Sequence, residues 1–351
     1  MKYSKFGRLA LGLTILVLSA CALTVSAQSG YHLIKKVPLA AAPGGREYYD
    51  YITVDAAARR IYLTHGAEVQ VLDADNWSVV GTISGLQLCH GVLLVPELGK
   101  GFITDGEAAK VVIFDIKSLK VTGQVKTEQP DTDTIMYDQA SKHVFSFNGD
   151  SQNVTVIDPV SEVIVKTVPL GGKVEFPVAG DFGTIYNNNA GTNEVVVIDS
   201  RALTIKARWP VAPAGQPVAL AIDRKNRRLF SAGRGPQTLV MMDADNGKVI
   251  QSFPISAGVD QNIFEPETGL LFVSTREGTI HIFHEDSPDE LSLVETVKTE
   301  YGARTMALDP KTHNLYLTTS DFDPPAAPTE KQPHPLPRAK PGNFRLLIYG
   351  R

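Results

Sequence analysis

Five short runs rich in valine and isoleucine each end in an aspartate, and these aspartates recur at a nearly constant spacing. The steps between Asp73, Asp115, Asp158, Asp199 and Asp243 are 42, 43, 41 and 44 residues. The runs have the length and alternation of β-strands and show no helical periodicity. A strand-built repeat of this length is typical of one blade of a β-propeller. The sequence therefore predicts an all-β fold.

A second set of positions gives the number of repeats. Each repeat opens with another short apolar run, and these runs end at Asp55, Pro96, Asp138, Asp181, Asp223, Glu265 and Asp309. Seven openings predict a seven-bladed β-propeller with four strands, a to d, in each blade. The last repeat has no strand d, whereas residues 32–39 match the d strands of other repeats. We therefore expect the N-terminal strand to close the seventh blade and to cover a sheet edge.

The first 27 residues have the pattern of a signal peptide, with a basic start followed by the apolar stretch 9–18. Two processing routes fit this segment. Cleavage before Gln28 would remove residues 1–27. A lipobox ending at Cys21 would instead remove residues 1–20, and a lipid on Cys21 would attach the protein to a membrane. Both routes predict an extracytoplasmic protein in the periplasm, at the cell surface or secreted.

Charge and length limit the organisation and the partners. The chain has 34 Lys and Arg against 38 Asp and Glu, a net charge of −4. Nucleic-acid-binding proteins usually carry a basic face, so a nucleic-acid partner is not expected. The repeat continues without a linker, which predicts a single propeller domain over residues 28–351. We expect this domain to be a monomer.

Candidate site residues follow from the position of strand a in a propeller, since the start of that strand faces the central channel. Counting back five or six residues from the strand-a ends gives the predicted ligand-binding set Tyr49, Asp50, His90, Asp133, Glu175, Asp260 and Arg304. Four carboxylates around one opening would repel each other unless a cation, an arginine or raised pKa values relieve them. The channel mouth is therefore the best candidate site in the sequence.

Three interpretations of this mouth stay open. The residues could form a ring of solvated turn residues. They could instead form a ligand pocket, in which Asp133, Glu175 and Asp260, together with His90, bind a divalent cation or a cationic group and Arg304 binds an anionic group. A third interpretation is catalysis by His90, Glu175 and Arg304, although the chain contains none of the common hydrolase or metalloprotease motifs.

Residues 321–342 form a long insert in the last repeat. They contain seven prolines, at positions 324, 325, 328, 333, 335, 337 and 341. Such a segment cannot continue a sheet and favours extended polyproline conformations. It connects strands b and c, on the face that carries the channel mouth. A lid over the pocket, a partner-binding segment and a disordered decoration are all compatible with this sequence.

The repeat resembles the YVTN-type propeller repeat of the YncE-like group. The resemblance lies in the strand-a ends AID at Asp223 and ALD at Asp309, and in the strand-b motifs at residues 62–65 and 316–319. It covers about residues 31–351. It implies a propeller scaffold with a ligand site at the channel, because similar propellers include binding proteins, surface-layer proteins and, more distantly, lactonases.

From these observations we predict an exported binding or interaction module whose partner is a small molecule or a protein. The alternative is a lactonase-type hydrolase. In that case a channel-mouth carboxylate or His90 would activate water, and Arg304 would stabilise an oxyanion.

Overall fold

We describe the protein from a computed structural model. The structure describes residue 1, residues 30–329 and residues 335–351. The predicted leader, including Cys21 and both processing sites, lies outside the described residues apart from Met1. Among the described residues, no helix is long and apolar enough to cross a bilayer.

Seven antiparallel four-stranded sheets make up the fold, which confirms the predicted seven-bladed β-propeller. Strand β1 (His32–Pro38) comes first in the chain, and two short 3₁₀ turns lie at Pro43–Gly45 and Pro96–Leu98. Blade 1 contains β2 (Tyr49–Asp55), β3 (Arg60–His65), β4 (Glu68–Asp73) and β5 (Val79–Ile83). Blade 2 contains β6 (Cys89–Val95), β7 (Lys100–Asp105), β8 (Lys110–Asp115) and β9 (Val121–Lys126). Blade 3 contains β10 (Thr132–Asp138), β11 (His143–Asn148), β12 (Asn153–Asp158) and β13 (Val163–Pro169).

Blade 4 contains β14 (Val174–Ala179), β15 (Thr184–Asn189), β16 (Glu194–Asp199) and β17 (Thr204–Pro210). Blade 5 contains β18 (Pro217–Asp223), β19 (Arg228–Arg234), β20 (Gln237–Asp243) and β21 (Val249–Pro254). Blade 6 contains β22 (Val259–Glu265), β23 (Leu270–Thr275), β24 (Thr279–Ser287) and β25 (Glu290–Lys298). Blade 7 contains β26 (Met306–Leu308), β27 (Leu315–Thr319), β28 (Arg345–Gly350) and β1.

The N-terminal strand completes the last blade, as predicted. Strand β1 pairs antiparallel with β28, and the register places His32 opposite Gly350 and Val37 opposite Leu346. The innermost strands contact each other in order around the channel, and β2 of blade 1 contacts β26 of blade 7. The two ends of the described propeller are therefore joined both at the outer edge of blade 7 and at the channel.

The hydrophobic core is divided among the blade junctions. Seven buried clusters lie between successive pairs of sheets, one at each junction of the ring. At the junction of blades 7 and 1, for example, Ile61 and Leu72 pack with Tyr316 and Ile348. Alternating side chains on a strand reach both faces of a sheet, so each blade contributes to two junctions. Burial between blades stabilises the ring as a whole.

A β-bulge lies near the start of the inner strand in blades 1 to 6. In blade 1 the register runs from Tyr49 opposite His65 to Ile52 opposite Leu63, so two residues on β2 face one residue on β3. The same shift occurs in the inner strands of blades 2 to 6. A bulge bends the strand and redirects its side chains. It does so here at the positions that the sequence assigns to the channel mouth.

Candidate functional site

A cavity of about 890 Å³ opens at the channel mouth, and all seven predicted ligand-binding residues line it. The bulges of blades 1, 2, 3, 4 and 6 contain Asp50, His90, Asp133, Glu175 and Asp260, respectively. Arg304 comes from the segment before β26. The predicted residues are therefore brought together in one cavity.

On one side of the cavity an aspartate–histidine cluster joins blades 1, 2 and 3. The Nδ1 atom of His90 lies 2.9 Å from Oδ2 of Asp50 and 3.5 Å from Oδ1 of Asp133. The Tyr48 hydroxyl donates a 2.8 Å hydrogen bond to Oδ2 of Asp50 and lies 2.9 Å from Nδ1 of His90. The sequence predicted Asp50, His90 and Asp133 at the channel mouth but did not predict that they would form one cluster with Tyr48.

Burial and charge separate the pKa values of this cluster. Burial alone would lower the pKa of His90, but its hydrogen bond with Asp50 and the charges of Asp133 and Asp50 raise it to about 9. Burial would raise the pKa of Asp50, yet the hydrogen bond with His90 and the Arg304 charge hold it below its ordinary value. Burial raises the pKa of Asp133 well above its usual range. The pKa values of the two aspartates are therefore shifted in opposite directions.

On the other side, arginines from blades 5, 6 and 7 surround Asp260. Arg234 and Arg304 each donate to a different oxygen of this carboxylate. Arg304 also lies 3.6 Å from Oδ1 of Asp50 and donates to the Tyr49 carbonyl at 3.2 Å. The charges of Asp260 and Asp50 keep the pKa of Arg304 well above its ordinary value even though burial opposes this. Asp260, a predicted metal ligand, is therefore engaged by two guanidinium groups.

Five charged side chains of the cavity have no hydrogen bond or ion pair of their charged group among the described residues: Asp131, Lys173, Glu175, Arg276 and Arg338. Glu175 is the buried carboxylate of this group and Arg276 is its half-buried base, whereas Lys173 and Arg338 are exposed. Burial raises the pKa of Glu175 to about 7. Burial and the nearby Arg304 charge lower the pKa of Arg276. A buried charge without a partner is costly, so a ligand of complementary charge would be favoured here.

Sequence analysis missed most of the positive charge. The cavity is lined by six carboxylates, from Glu47, Asp50, Asp131, Asp133, Glu175 and Asp260, and by six basic side chains, from Arg46, Lys173, Arg234, Arg276, Arg304 and Arg338. The predicted set comes from strand a alone, whereas Arg234 ends β19 and Arg276 follows β23, both at the b-to-c connection. The sequence signal for these two arginines is their position at the ends of the b strands. The mouth is thus a mixed-charge cavity and not an acidic ring.

The proline-rich insert supplies one wall. Phe322 and Ala339 form an isolated antiparallel bridge, and the Asp323 amide donates to the Arg338 carbonyl at 2.9 Å. Residues 336–339 and Phe322 line the cavity. Phe322 packs edge-on against Tyr301, with ring centroids 4.9 Å apart. Both ends of the insert are therefore ordered beside the cavity, while Pro333 lies outside the described residues.

Comparisons with known proteins give the fold and nothing finer. No family model matches the chain. No curated protein matches it either. A chain in the crystal structure of the mitotic checkpoint complex is similar over 96% of this chain and 98% of its own, with a TM-score of 0.71 and 14% sequence identity. A likeness at this identity shows the propeller fold alone, and the YVTN-type resemblance stays a prediction.

Proposed function

We propose that this propeller is an exported binding module whose channel-mouth cavity holds a small dipolar ligand. An anionic group of the ligand binds Arg276, beside Arg234 and Arg304. A cationic or hydrogen-bond-donating group binds Glu175. The observation that supports this is the presence of two unpaired, oppositely charged side chains, Glu175 and Arg276, in one cavity.

The size and the charge of the cavity agree with such a ligand. Small-molecule sites usually enclose about 300 to 1,000 Å³ and contain few, well-placed polar groups. This cavity measures about 890 Å³ and is lined by residues of all seven blades and of the insert. Arg234 and Arg304 already pair with Asp260. Among the arginines of blades 5, 6 and 7, Arg276 is therefore the guanidinium most available to a carboxylate or phosphate, which it can bind through two parallel hydrogen bonds.

Export and family membership complete the proposal. The leader pattern of residues 1–27 supports transport out of the cytoplasm, with or without a lipid on Cys21. The strand motifs at residues 62–65 and 316–319 support membership of the YVTN-type, YncE-like propellers. A propeller interior carries ligand contacts on a rigid frame, which suits a binding role.

The test uses ω-amino carboxylates of increasing length, from glycine to 6-aminohexanoate, as dipolar probes. Butyrate and butylamine serve as singly charged references. We expect one chain length to raise the melting temperature most, because the probe must span from Arg276 to Glu175. Isothermal titration of that probe should show at least about a tenfold loss of affinity in Arg276→Gln and in Glu175→Gln, which is the loss of one charge-assisted contact.

Arg201→Gln is the matched control, since Arg201 is exposed and follows β16 outside the cavity. Its affinity should equal that of the wild type. Equal binding of the probe by wild type and Arg276→Gln, or no binding of any dipolar probe, would contradict the proposal.

One observation favours the hydrolase alternative. Glu175 is buried and unpaired, and its pKa of about 7 suits a general base. Arg304, which the sequence assigned to an oxyanion, is occupied by Asp260 and Asp50, so Arg276 would take that role. Turnover of a lactone panel that disappears in Glu175→Gln and persists in Arg201→Gln would establish the hydrolase in place of the binding module.

A further inference from the structure

Four polar atoms from three blades converge at one point beside the cavity. They are Oη of Tyr48, Oδ2 of Asp50, Nδ1 of His90 and Oδ1 of Asp133. The first three form a triangle with sides of 2.8, 2.9 and 2.9 Å. The fourth lies 3.5 Å from Nδ1 of His90. Side chains so distant in sequence meet here only because the inner strands surround the channel.

Hydrogen bonds do not satisfy all four atoms. Nδ1 of His90 can carry one proton, yet three oxygens surround it. The Tyr48 hydroxyl has a single proton and donates it to Asp50. Oδ1 of Asp133 is buried and accepts no hydrogen bond among the described residues. A buried carboxylate oxygen without a hydrogen bond is uncommon in folded proteins and needs an explanation. A positively charged species between the four atoms would supply it.

We infer that Tyr48, Asp50, His90 and Asp133 form a binding site for one divalent transition-metal ion. The aspartate and histidine atoms lie within 4.8 Å of each other. Metal–ligand bonds of about 2.1 Å place neighbouring ligand atoms about 3.0 Å apart in octahedral sites and about 3.4 Å apart in tetrahedral sites. Four of the six separations among these atoms measure 2.8 to 3.5 Å, which is close to this range.

The ligand types indicate the class of metal. Ca²⁺ takes six to eight oxygen ligands, and Mg²⁺ keeps several waters around carboxylate oxygens. One imidazole nitrogen with two carboxylates and a phenol oxygen suits Zn²⁺ and its neighbours among the divalent first-row metals better. The two aspartates would balance the charge of the ion. The neutral cluster would then fit a partly buried position.

Surrounding contacts orient the ligands. Arg304 lies near Oδ1 of Asp50, which leaves Oδ2 of the same carboxylate for the ion. The Thr104 hydroxyl donates to the Asp133 carbonyl and accepts from the Gly91 amide. A Cβ atom at position 106 would lie only 2.7 Å from Nε2 of His90, so Gly106 gives the imidazole its space. Such supporting contacts are typical of metal sites.

The site also deepens the proposed function. The side chains of Asp50, His90 and Asp133 are 9%, 9% and 18% exposed, and all three line the cavity. A ligand in the cavity could therefore supply a further donor atom to the ion. That last step rests on the proposed function, whereas binding of the metal alone does not.

The test uses the metal alone. The full chain is stripped with EDTA and titrated with Zn²⁺ by calorimetry, and bound zinc is counted by elemental analysis after gel filtration. We expect one ion per chain, and Co²⁺ should give visible absorption bands of a coordinated ion with nitrogen and oxygen ligands. Zn²⁺ affinity should fall at least about tenfold in His90→Gln and in Asp133→Asn.

Asp150→Asn is the control variant, because Asp150 is exposed and lies outside both the cavity lining and the four-atom cluster. It should keep the wild-type Zn²⁺ affinity. A stoichiometry below one ion at millimolar Zn²⁺, or equal losses in Asp150→Asn and Asp133→Asn, would overturn the inference. The Co²⁺ spectrum of the wild type decides the question even if a variant fails to fold.

Dipolar-probe binding is measured separately in the EDTA-treated protein. Loss of probe binding with intact Zn²⁺ binding would count against the proposed function alone. Loss of Zn²⁺ binding with intact probe binding would count against the metal site alone.

Discussion

Glu175 illustrates how a single position joins stability and function. Its carboxyl group is buried in the bulge of β14 and lines the cavity without a partner among the described residues. Burial is the main cause of its raised pKa, Asp260 and Asp131 add to the rise, and Arg234 and Lys173 oppose it. The group therefore changes charge near neutral pH. Its charge costs stability in the free protein and becomes favourable when a cationic group binds.

Glu175→Gln should change the pH dependence of stability. The pKa is about 7 in the folded protein against an ordinary value of 4.5, so the folded state binds more protons between these values. Wild-type stability should therefore decrease as pH rises from about 4.5 to about 7. Urea unfolding at pH 5 and pH 8 should show a wild-type loss larger than that of the variant by on the order of 2 kcal/mol. Parallel profiles would show that Glu175 is not held protonated by burial.

The sequence predicted which carboxylates meet at the mouth, because their position depends on the repeat. It did not predict their partners. Arg234 approaches Asp260 from the end of a different strand in the preceding blade, and Arg304 reaches it from the following one. Such pairs depend on side-chain reach across the ring, and the period of a repeat contains no information about that. The structure, and not the sequence repeat, therefore shows which carboxylates at the site pair with arginines.

The inner-strand bulge gives the site residues a common position. Asp50 and His90 each occupy the first bulged position, five residues before the ends of β2 and β6 at Asp55 and Val95. The extra residue leaves backbone groups outside the ladder. Hydroxyl groups of strand b take their place, as Thr64 accepts from the Asp50 amide at 3.2 Å and Thr104 accepts from the Gly91 amide at 2.8 Å. These hydroxyl residues are visible in the sequence, but their role depends on the bulge.

Thr104→Val tests this support. The variant keeps the shape of the side chain and removes a fully buried hydroxyl, which leaves the Gly91 amide without its acceptor. We expect a loss of about 1 to 3 kcal/mol in the free energy of unfolding, the usual cost of an unsatisfied buried group. Thr82→Val, on the exposed outer strand β5, should change it by less than about 0.5 kcal/mol. Equal unfolding midpoints for the two variants would contradict a structural role for the hydroxyl.

The sequence repeat predicted the complete ring of seven blades. A constant spacing fixes equivalent blades, and the missing strand d of the last repeat identified residues 32–39 as the strand that closes it. Function did not follow in the same way. The structural likeness to a checkpoint-complex chain at 14% identity shows that very different sequences build this frame. What distinguishes this protein is the set of side chains at the mouth and the insert beside it.

Deletion of residues 31–40 should destabilise the whole ring. It removes β1, exposes the edge of β28, and takes away Tyr31, which is buried with Phe272 and Leu347 between blades 6 and 7. Replacement of residues 323–338 by two glycines is the matched control, because the bridge between Phe322 and Ala339 already brings the two ends together. Since the control keeps all four strands of blade 7, it should melt close to the wild type and differ mainly in affinity for dipolar probes. The β1 deletion should melt far lower and aggregate, as an unpaired sheet edge recruits other chains. Thermal unfolding followed by light scattering measures both effects, and a β1 deletion that melts with the wild type would refute closure by the N-terminal strand.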